Sequence, residues 1–380
     1  MCAKLAHMAD LDENTLGVRV RESRQRAGMA QGELARLVGL DRTVINKIEN
    51  GQRRVTAIEL SEIAGALGVR MATFFEEPLP ALVSHRSHQG LEVVDSQIDR
   101  RLARIAEDVE FLHDLAPEAL PLPAQTDPPL DHPTSMAEAD LLAAQVRSGL
   151  GLDGESPIRD LVDACASLGL LAFSADLGVD TADAGTILLR RGAVSLINSH
   201  NKVGRRRLAL AHELGHFVVA DDYTIDWRVS DQSGSGIESK LDRFARSLLL
   251  PEMGLRHSWA RLTSHGVRDR AVIVASEFRV DMATLARRLD EVGLASGEDL
   301  TAIRRSKTTK ADIIEFNLLV PEDMEEVSLP ARYQRAVIQA IKDERISRAR
   351  ALELLHGTYS EDDLPPIRTR SRNELWKFVS

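Results

Sequence analysis

The features that mark exported and membrane proteins are scarce or missing in this chain of 380 residues. It has two cysteines, Cys2 and Cys165, and no CxxC pair, so a disulfide framework is excluded and a reducing compartment is favoured. No apolar run approaches the ~18 residues that a membrane-spanning helix needs. The first residues, MCAKLAHMADLDEN, lack the apolar core of an export signal. We therefore expect a cytoplasmic protein that does not enter a membrane.

Aromatic residues are also few, at 4% of the chain, while the hydrophobic fraction of 43% is enough for ordinary buried cores. The cores must therefore rely on Leu, Val, Ile and Ala side chains. A net charge of −10 excludes a uniformly basic nucleic-acid coat protein. It does not exclude one basic face, because residues 17–70 hold ten basic and six acidic side chains.

Proline is concentrated in one stretch, with six of the 14 prolines between Pro117 and Pro133. Since proline lacks an amide donor and disfavours helix at the residue before it, we predict an extended linker over 117–134. An amphipathic connecting helix is predicted just before it, over 90–116. Its apolar seam has heptad spacing and consists of Ile98, Leu102, Ile105, Val109 and Leu112. This seam either joins two copies of the chain or packs on the chain itself.

Residues 16–69 show apolar residues at helical spacing in four or five short segments. Gly39 ends one of these helices, and Asp41 is a good N-cap for the next. The inward side of that next helix is apolar. Its outward side is formed by short polar and basic side chains, namely Arg42, Thr43, Asn46 and Lys47. Side chains of this kind suit the base edges of a DNA major groove.

Residues around this helix complete a candidate DNA interface. Gln31 opens the preceding helix, where its amide can bond a phosphate or brace the recognition helix. Arg53, together with Arg19 and Arg54, can grip the DNA backbone. The alternative is a helical unit of the same pattern that contacts another protein instead of DNA.

These segments resemble the XRE/Cro-type helix-turn-helix of phage-like repressors. The resemblance rests on the LGVRVR start, the GMAQGELA turn, the GLDRTVINKIENG recognition segment and the IAGALGV end. It implies an all-α DNA-binding domain over 14–78 that reads a double-stranded operator. Such proteins usually form homodimers to reach two half-sites.

A metal-binding pattern lies further along the chain, in the run RRRLALAHELGHFVVA over 205–220. His212 and His216 are four residues apart, so both imidazoles of one helix face can reach one metal ion. Glu213 is turned away from the ligand positions but stays near a metal-activated water, where it can act as general base. The alternative is a core helix whose histidines are only hydrogen-bonded.

A third ligand can come from the helix predicted in IESKLDRFARSLLLPE, residues 237–252. Glu238 and Asp242 are four residues apart on one face of that helix. In one interpretation Glu238 ligates the metal, and Asp242 accepts an N–H from a ligating imidazole and fixes its tautomer. In others Asp242 is itself the ligand, or the two carboxylates form a solvated acidic face.

Together these two runs resemble the ImmA/IrrE metallopeptidases. The shared features are an arginine-rich lead into HELGH and a Glu-containing helix that ends in FA, two leucines and a proline. The resemblance covers 135–300 and implies a gluzincin-like fold with a small antiparallel sheet against the active-site helix. It also implies one Zn²⁺ per chain, held by His212, His216 and Glu238, with Glu213 catalytic. Imidazole and carboxylate ligands accept manganese as well.

Three further stretches are less specific. The run TILLRRGAVSLINSH predicts a hairpin with its turn at 190–192. A helical pair over 269–290 is similar to a second helix-turn-helix, and it either touches DNA or packs against the peptidase core. The segment 301–380 is predicted to be a helical interaction or capping segment.

A peptidase also needs a donor that stabilises the oxyanion of the tetrahedral intermediate. Three side chains downstream of the HELGH run carry suitable N–H or O–H groups, and spacing does not choose between them. The candidates are Tyr223, His257 and His265.

The predicted protein is multidomain and mainly α, with an α+β part. It consists of an all-α helix-turn-helix domain, a gluzincin-like α+β zinc peptidase domain and a helical tail. The two resemblances imply a transcriptional regulator whose peptidase cleaves a partner regulatory protein, such as a helix-turn-helix repressor, or the chain itself in the linker 117–134. Two alternatives stay open: the zinc domain is a non-catalytic sensor or scaffold, or the chain is a toxin–antitoxin component.

Overall fold

The computed structural model of the chain describes residues 13–27, 29–67, 69, 71–75, 82–86, 96–123, 130–179, 182–219, 234–318 and 323–366. Helices dominate these ranges, and four short strands form one sheet. Among the helices described there, none is long and apolar enough to span a bilayer. The buried apolar side chains of these ranges form three clusters.

The N-terminal cluster is built by four short helices: α1 Glu13–Arg26, α2 Gln31–Leu37, α3 Arg42–Glu49 and α4 Ala57–Leu67. Between α2 and α3, Gly39 has a φ of 64°, in the left-handed region that glycine adopts without strain. The structure therefore has the predicted break at Gly39, and α3 begins directly after Asp41. Asp41 takes the N-cap position with an extended backbone, although its side chain makes no cap hydrogen bond.

Glu49, at the end of α3, ties these helices together. Its carboxylate is fully buried and accepts two hydrogen bonds from the Arg24 guanidinium, at 2.5 and 3.0 Å. The Gln31 amide donates to the same carboxylate at 2.8 Å. Because these partners lie on α1 and α2, one buried charge links three helices. Bidentate, charge-assisted bonds of this kind are stronger than neutral ones.

The sheet has the strand order β1-β3-β4-β2, with β1 and β4 antiparallel to β3 and β2 parallel to β4. The expected antiparallel sheet is therefore mixed, because β4 follows β2 after two chain reversals and pairs with it in the same direction. The strands β3 and β4 form the predicted hairpin, and Gly192 in its turn has a φ of 70°. All side chains of these two strands are buried, so the sheet is covered on both faces. The strand bounds are β1 Leu82–Arg86, β2 Leu170–Ala175, β3 Ala184–Leu188 and β4 Ala193–Asn198.

One face of the sheet is covered by a layer of helices, with α8 at its centre. This helix, Val203–Val219, carries the HELGH run and is buried along almost its whole length. The helix α9, Gly234–Leu249, packs on α8, and α6, Met136–Gly149, packs on α9. The helices of this part of the chain are α6 Met136–Gly149, α7 Leu161–Leu168, α9 Gly234–Leu249, α10 Glu252–Arg261, α11 Val267–Phe278, α12 Met282–Glu291, α13 Gly297–Arg305 and α14 Lys310–Glu315.

The other face of the sheet is covered by three helices: α5 Ser96–Leu115, α15 Ala331–Lys342 and α16 Arg348–Leu354. The predicted seam of α5 is buried in this second cluster together with Leu171 and Phe173 of β2. The seam therefore packs on the chain itself and is not available to a second copy. The predicted tail likewise contributes two helices to the cover of the sheet.

The helical pair predicted over 269–290 corresponds to α11 and α12. Asp281 caps α12, since its carboxylate accepts a hydrogen bond from the Thr284 amide at 2.8 Å. Arg288 of α12 is buried and donates to the Leu250 carbonyl and the Ser247 hydroxyl. These bonds show that α12 packs against the helical layer through Arg288, which leaves this arginine inaccessible to DNA.

The two described ends of the proline-rich segment are held against the rest of the fold; residues 124–129 lie outside the described ranges. Leu120 and Leu122 are buried, and Arg191 donates to the Leu122 carbonyl at 2.9 Å. The Leu130 amide donates to the Val218 carbonyl, near the end of α8, at 3.1 Å. These ends are therefore docked on the hairpin and on α8.

Replacing Glu49 by Ala leaves the Arg24 guanidinium without its buried partner, and breaking such a pair costs about 3–5 kcal/mol. We expect the amides of α1–α3 to lose hydrogen-exchange protection by about this amount, measured by mass spectrometry on the full chain. Glu62→Ala, an exposed site on α4, is the matched control and should stay within about 0.5 kcal/mol of wild type. Equal protection in both variants would contradict the bracing role of Glu49.

Candidate metal centre and nucleic-acid interface

The α8 helix brings His212 and His216 to one face. Its sequence around the motif, LALAHELGH, is rich in Leu and Ala, which favour helix. Four residues advance a helix by slightly more than one turn, so the two rings lie next to each other on one face. Their centroids are 4.9 Å apart and their planes meet at 63°. Their residues are only 2% and 3% exposed, respectively. The sequence thus places two imidazoles side by side inside an apolar core.

Glu238, near the start of α9, meets the two histidines. Its Oε2 lies 3.1 Å from His212 Nε2, and its Oε1 lies 3.4 Å from His216 Nε2. The two Nε2 atoms are themselves 3.1 Å apart. The side chain of Glu238 is 53% exposed, so the group opens to solvent on the α9 side. The structure thus brings together the three predicted ligands.

This arrangement fits a zinc ion. Two imidazoles and one carboxylate are a usual protein ligand set for zinc that leaves a fourth position open. Ligand atoms about 2.0–2.1 Å from a tetrahedral zinc lie about 3.3 Å from one another. The two Nε2 atoms are 3.1 Å apart. The nearest Glu238 oxygens, Oε2 for His212 and Oε1 for His216, lie at 3.1 and 3.4 Å, so the three groups are spaced at about this value. Among the described residues, His212, His216 and Glu238 form a group able to hold a metal ion.

Asp242, one turn after Glu238 on α9, lies on the other side of the His212 ring. Its Oδ1 is 3.0 Å from His212 Nδ1. Since Nδ1 and Nε2 point to opposite sides of an imidazole, Asp242 does not reach the point that the three ligand atoms share. The geometry favours the interpretation in which Asp242 fixes the His212 tautomer over the one in which it ligates the metal.

The charges of this group stabilise one another. Burial lowers the pKa of the His212 imidazole, but hydrogen bonds to Asp242 and Glu238 outweigh burial and hold it above its ordinary value. Burial raises the pKa of Glu238, and its bonds with the two histidines reverse the effect and hold it below the ordinary value. A carboxylate that stays ionised in this way is suited to a metal ligand.

Glu213 points toward the sheet and is fully buried. Its Oε2 accepts a hydrogen bond from the Thr186 hydroxyl of β3 at 2.6 Å. The Thr186 hydroxyl is in turn 2.6 Å from the Ser195 hydroxyl of β4. Sequence reasoning did not single out these two residues. The sequence feature that could have identified them is a hydroxyl side chain in each of two largely apolar strands, AGTIL and AVSLIN.

Of the three candidates for an oxyanion donor, His257 and His265 lie in the described residues. Tyr223 lies outside the described residues. His257 is exposed on α10, with Nδ1 3.3 Å from a Glu155 carboxylate oxygen, and His265 pairs with the neighbouring Ser264 hydroxyl. Neither histidine belongs to the ligand group found in the described residues.

The predicted outward side of α3 is exposed. Its inward residues, Ile45 and Ile48, are buried in the N-terminal cluster. Gln31 donates to Glu49, so of its two predicted roles the geometry favours bracing α3 over bonding a phosphate. The exposed positions of α3 include the four predicted to meet base edges: Arg42, Thr43, Asn46 and Lys47.

The arginines predicted to grip the DNA backbone have partners in the chain. Arg53 donates to Glu59 at 2.8 Å, and Arg19 donates to the Phe74 carbonyl at 3.2 Å. Arg54 pairs with Glu13, but its side chain is 88% exposed. Of the three guanidiniums, that of Arg54 is therefore the most accessible to a phosphate.

Two family models match separate parts of the chain. The helix-turn-helix model matches residues 20–74, and the model of the IrrE N-terminal-like domain, peptidase family M78, matches residues 165–290. The first match covers α3 and its exposed face. The second covers α8, α9 and the whole ligand group.

Two controller proteins resemble the N-terminal part, and a third protein aligns with most of the chain. The chain is 32% identical over 54 residues to the control protein C.MunI from a Mycoplasma species. The aligned region covers 14% of this chain and 73% of C.MunI. It is 36% identical to the restriction-modification controller protein C.AhdI from Aeromonas hydrophila, over 17% of this chain and 96% of that one, with a TM-score of 0.16. ComR from Streptococcus suis aligns with 90% of this chain and 87% of its own length, at 11% identity and a TM-score of 0.17.

The ligand geometry generates a direct test. We expect the purified chain to bind one zinc ion, and the His212→Ala, His216→Ala double variant to bind none, because the remaining carboxylate alone is too weak a ligand set. Metal content is measured by elemental mass spectrometry after dialysis at neutral pH. His257→Ala removes an exposed histidine outside the group and is the control. Wild-type zinc content in the double variant would show that the metal is held elsewhere.

Proposed function

We propose that this chain, which belongs to the XRE-type helix-turn-helix family and carries an IrrE-like M78 peptidase domain, is a transcriptional regulator with a zinc-dependent endopeptidase activity. The observation that carries the proposal is the convergence of His212, His216 and Glu238, with Glu213 one residue from the first ligand. The peptidase domain of this proposal spans about 135–300 and has a gluzincin-like fold.

For the DNA-binding domain, about 14–78, we propose that α3 enters the major groove. Arg42, Thr43, Asn46 and Lys47 then meet base edges, and Arg54 and Arg53 approach phosphates. A homodimer would present two such helices to two half-sites of an operator. Since the α5 seam is buried in the chain's own core, the proposed dimer must use another surface.

In the peptidase domain, His212, His216 and Glu238 would hold the zinc ion, and Asp242 would keep the His212 tautomer that leaves Nε2 free to ligate. When bound, zinc supplies Lewis-acid chemistry that polarises a peptide carbonyl and makes a nearby water easier to deprotonate. The partly exposed Glu238 edge is the side from which a peptide would enter.

Glu213 would act as the general base and then as the general acid. As the water oxygen bonds to the carbonyl carbon, its proton passes to the Glu213 carboxylate. When the C–N bond breaks, the same proton goes to the departing amine nitrogen. The burial of Glu213 keeps bulk water away from both transfers.

We propose that the substrate is a cytoplasmic regulatory protein, such as another helix-turn-helix repressor, or the chain itself. The main alternative is a DNA-binding regulator whose zinc domain senses or scaffolds without turnover. A toxin–antitoxin component is a second alternative, which a dedicated partner gene would support. The ionised Glu238 and the Asp242 carboxylate beside His212 support a metal site in both the catalytic and the sensor version. The buried carboxylate of Glu213, next to the ligand His212, favours the catalytic version.

The decisive variant is Glu213→Gln, which keeps the size of the side chain but removes the proton acceptor. We expect zinc content and DNA affinity equal to wild type, and a fall of at least about 10²-fold in peptide-bond hydrolysis. Hydrolysis is followed by the intact mass of the chain and of co-expressed repressors. Gene regulation that survives this substitution unchanged would favour the sensor alternative.

The DNA-binding domain can be tested without knowing the operator, by selecting a duplex from a random pool with the full chain. Asn46→Ala and Lys47→Ala should each weaken binding to the selected duplex by about 1–3 kcal/mol, if they touch base edges. The exposed Arg305 of α13 provides the matched control, Arg305→Ala. Affinity is measured by fluorescence anisotropy at fixed salt. If all three variants bind the selected duplex with the same affinity, α3 is excluded as the recognition helix.

A further inference from the structure

Two hydroxyl groups lie where the proposed base meets the sheet, and packing does not account for them. Thr186 and Ser195 are directly opposite each other on β3 and β4, and both are fully buried. A hydroxyl in such surroundings costs free energy unless it is hydrogen-bonded, whereas Val or Ala would fill the space without that cost. Their neighbours on this face of the two strands are apolar and belong to the same cluster as α8: Ala184, Leu188, Ala193 and Ile197.

The two bonds of Thr186 have a fixed direction. Its hydroxyl carries one proton, which it donates to Glu213 Oε2 at 2.6 Å. It can therefore only accept in its other bond, so the Ser195 hydroxyl, 2.6 Å away, must be the donor there. The result is a directed chain from Ser195 to Thr186 to Glu213. A distance of 2.6 Å is in the range of a short, charge-assisted O–H···O⁻ bond.

We propose that Thr186 and Ser195 are positioning residues for the Glu213 carboxylate. The terminal torsion of a glutamate is broad, so helix geometry alone does not fix the plane of the carboxylate. Thr186 holds one carboxylate oxygen against the sheet, and Ser195 fixes the direction of the Thr186 proton. The other oxygen is thereby set at a constant orientation relative to the ligand histidines of the same helix.

This inference rests on the proposed function, because the orientation of Glu213 affects turnover only where Glu213 moves the proton. Neither hydroxyl gains or loses a proton in the reaction as written above. Their contribution is geometric: a reacting group must be held within about 0.5 Å of its productive position by its supporting residues. A rigid sheet, buried on both faces, is a suitable support for the base on α8.

The first test uses no metal and no substrate. Thermal midpoints are measured on the metal-free full chain for wild type, Thr186→Val, Glu213→Gln and the double variant, which form a double-mutant cycle. We expect Thr186→Val to lower the midpoint by several degrees in the wild-type background, and by less than half as much in the Glu213→Gln background. Equal losses in both backgrounds would overturn the proposal, since they would show no coupling between the two side chains.

The second test measures turnover by the zinc-loaded full chain on fluorescein-labelled β-casein. Thr186→Val should lower kcat about tenfold with KM within about twofold, because a charge-assisted hydrogen bond to the base is lost. Thr186→Ser keeps the hydroxyl and should restore most of kcat. Wild-type kcat in Thr186→Val, or a Thr186→Ser variant as slow as Thr186→Val, would overturn the positioning role.

The chain offers a matched control for the serine. Ser174 of β2 is also buried and bonds to the Ser328 hydroxyl at 2.7 Å, away from Glu213. Ser195→Ala should lower kcat, whereas Ser174→Ala should not, and equal effects would count against the directed chain. If wild type hydrolyses neither casein, nor itself, nor a co-expressed repressor, the proposed peptidase function fails. The thermal cycle then tests the coupling of Thr186 to Glu213 by itself.

Discussion

Burying two imidazoles and a carboxylate in one apolar core is costly unless each finds a polar partner, and α8 does this with His212, Glu213 and His216. The partners come from different directions. The carboxylates Glu238 and Asp242 approach from α9, and the Thr186 hydroxyl approaches from the sheet. The positions of α9 and of the β3–β4 hairpin are thus set by the polar requirements of a single helix as well as by apolar packing.

The position of α9 has a second, independent support. Asp140 of α6 accepts hydrogen bonds from Arg243 of α9 at 2.9 and 2.6 Å and from Arg288 of α12 at 3.0 Å. Burial raises the pKa of the Asp140 carboxyl, but the two guanidiniums outweigh burial and hold it below its ordinary value. The helix that carries the Glu238 carboxylate is therefore held by a charge network through its other side. In the N-terminal unit, the buried Glu49 carboxylate likewise accepts hydrogen bonds from side chains of two neighbouring helices.

Local spacing was sufficient to predict much of this protein. Periodicity placed α3 and its exposed face, and the four-residue spacings of HELGH and of Glu238 with Asp242 fixed which side chains share a face. Spacing along one segment does not say what covers a helix, so the α5 seam was equally consistent with a partner chain or with the sheet. The pairing of Thr186 with Glu213 joins residues 27 positions apart on different elements. Such a contact depends on hairpin register and helix placement, which no local pattern contains.

The strand β1 lies between the two family domains in the chain and is paired with β3 at the edge of the sheet. Only six residues separate Phe75, at the end of the described N-terminal unit, from Leu82. At ~3.6 Å per residue this tether spans at most about 25 Å. Without the pairing of β1, the next described residue along the chain would be Ser96, and the contour length from Phe75 to Ser96 is about 75 Å. The five residues of β1 thus reduce about threefold the maximum distance that chain length alone allows between the N-terminal unit and its next point of attachment to the fold.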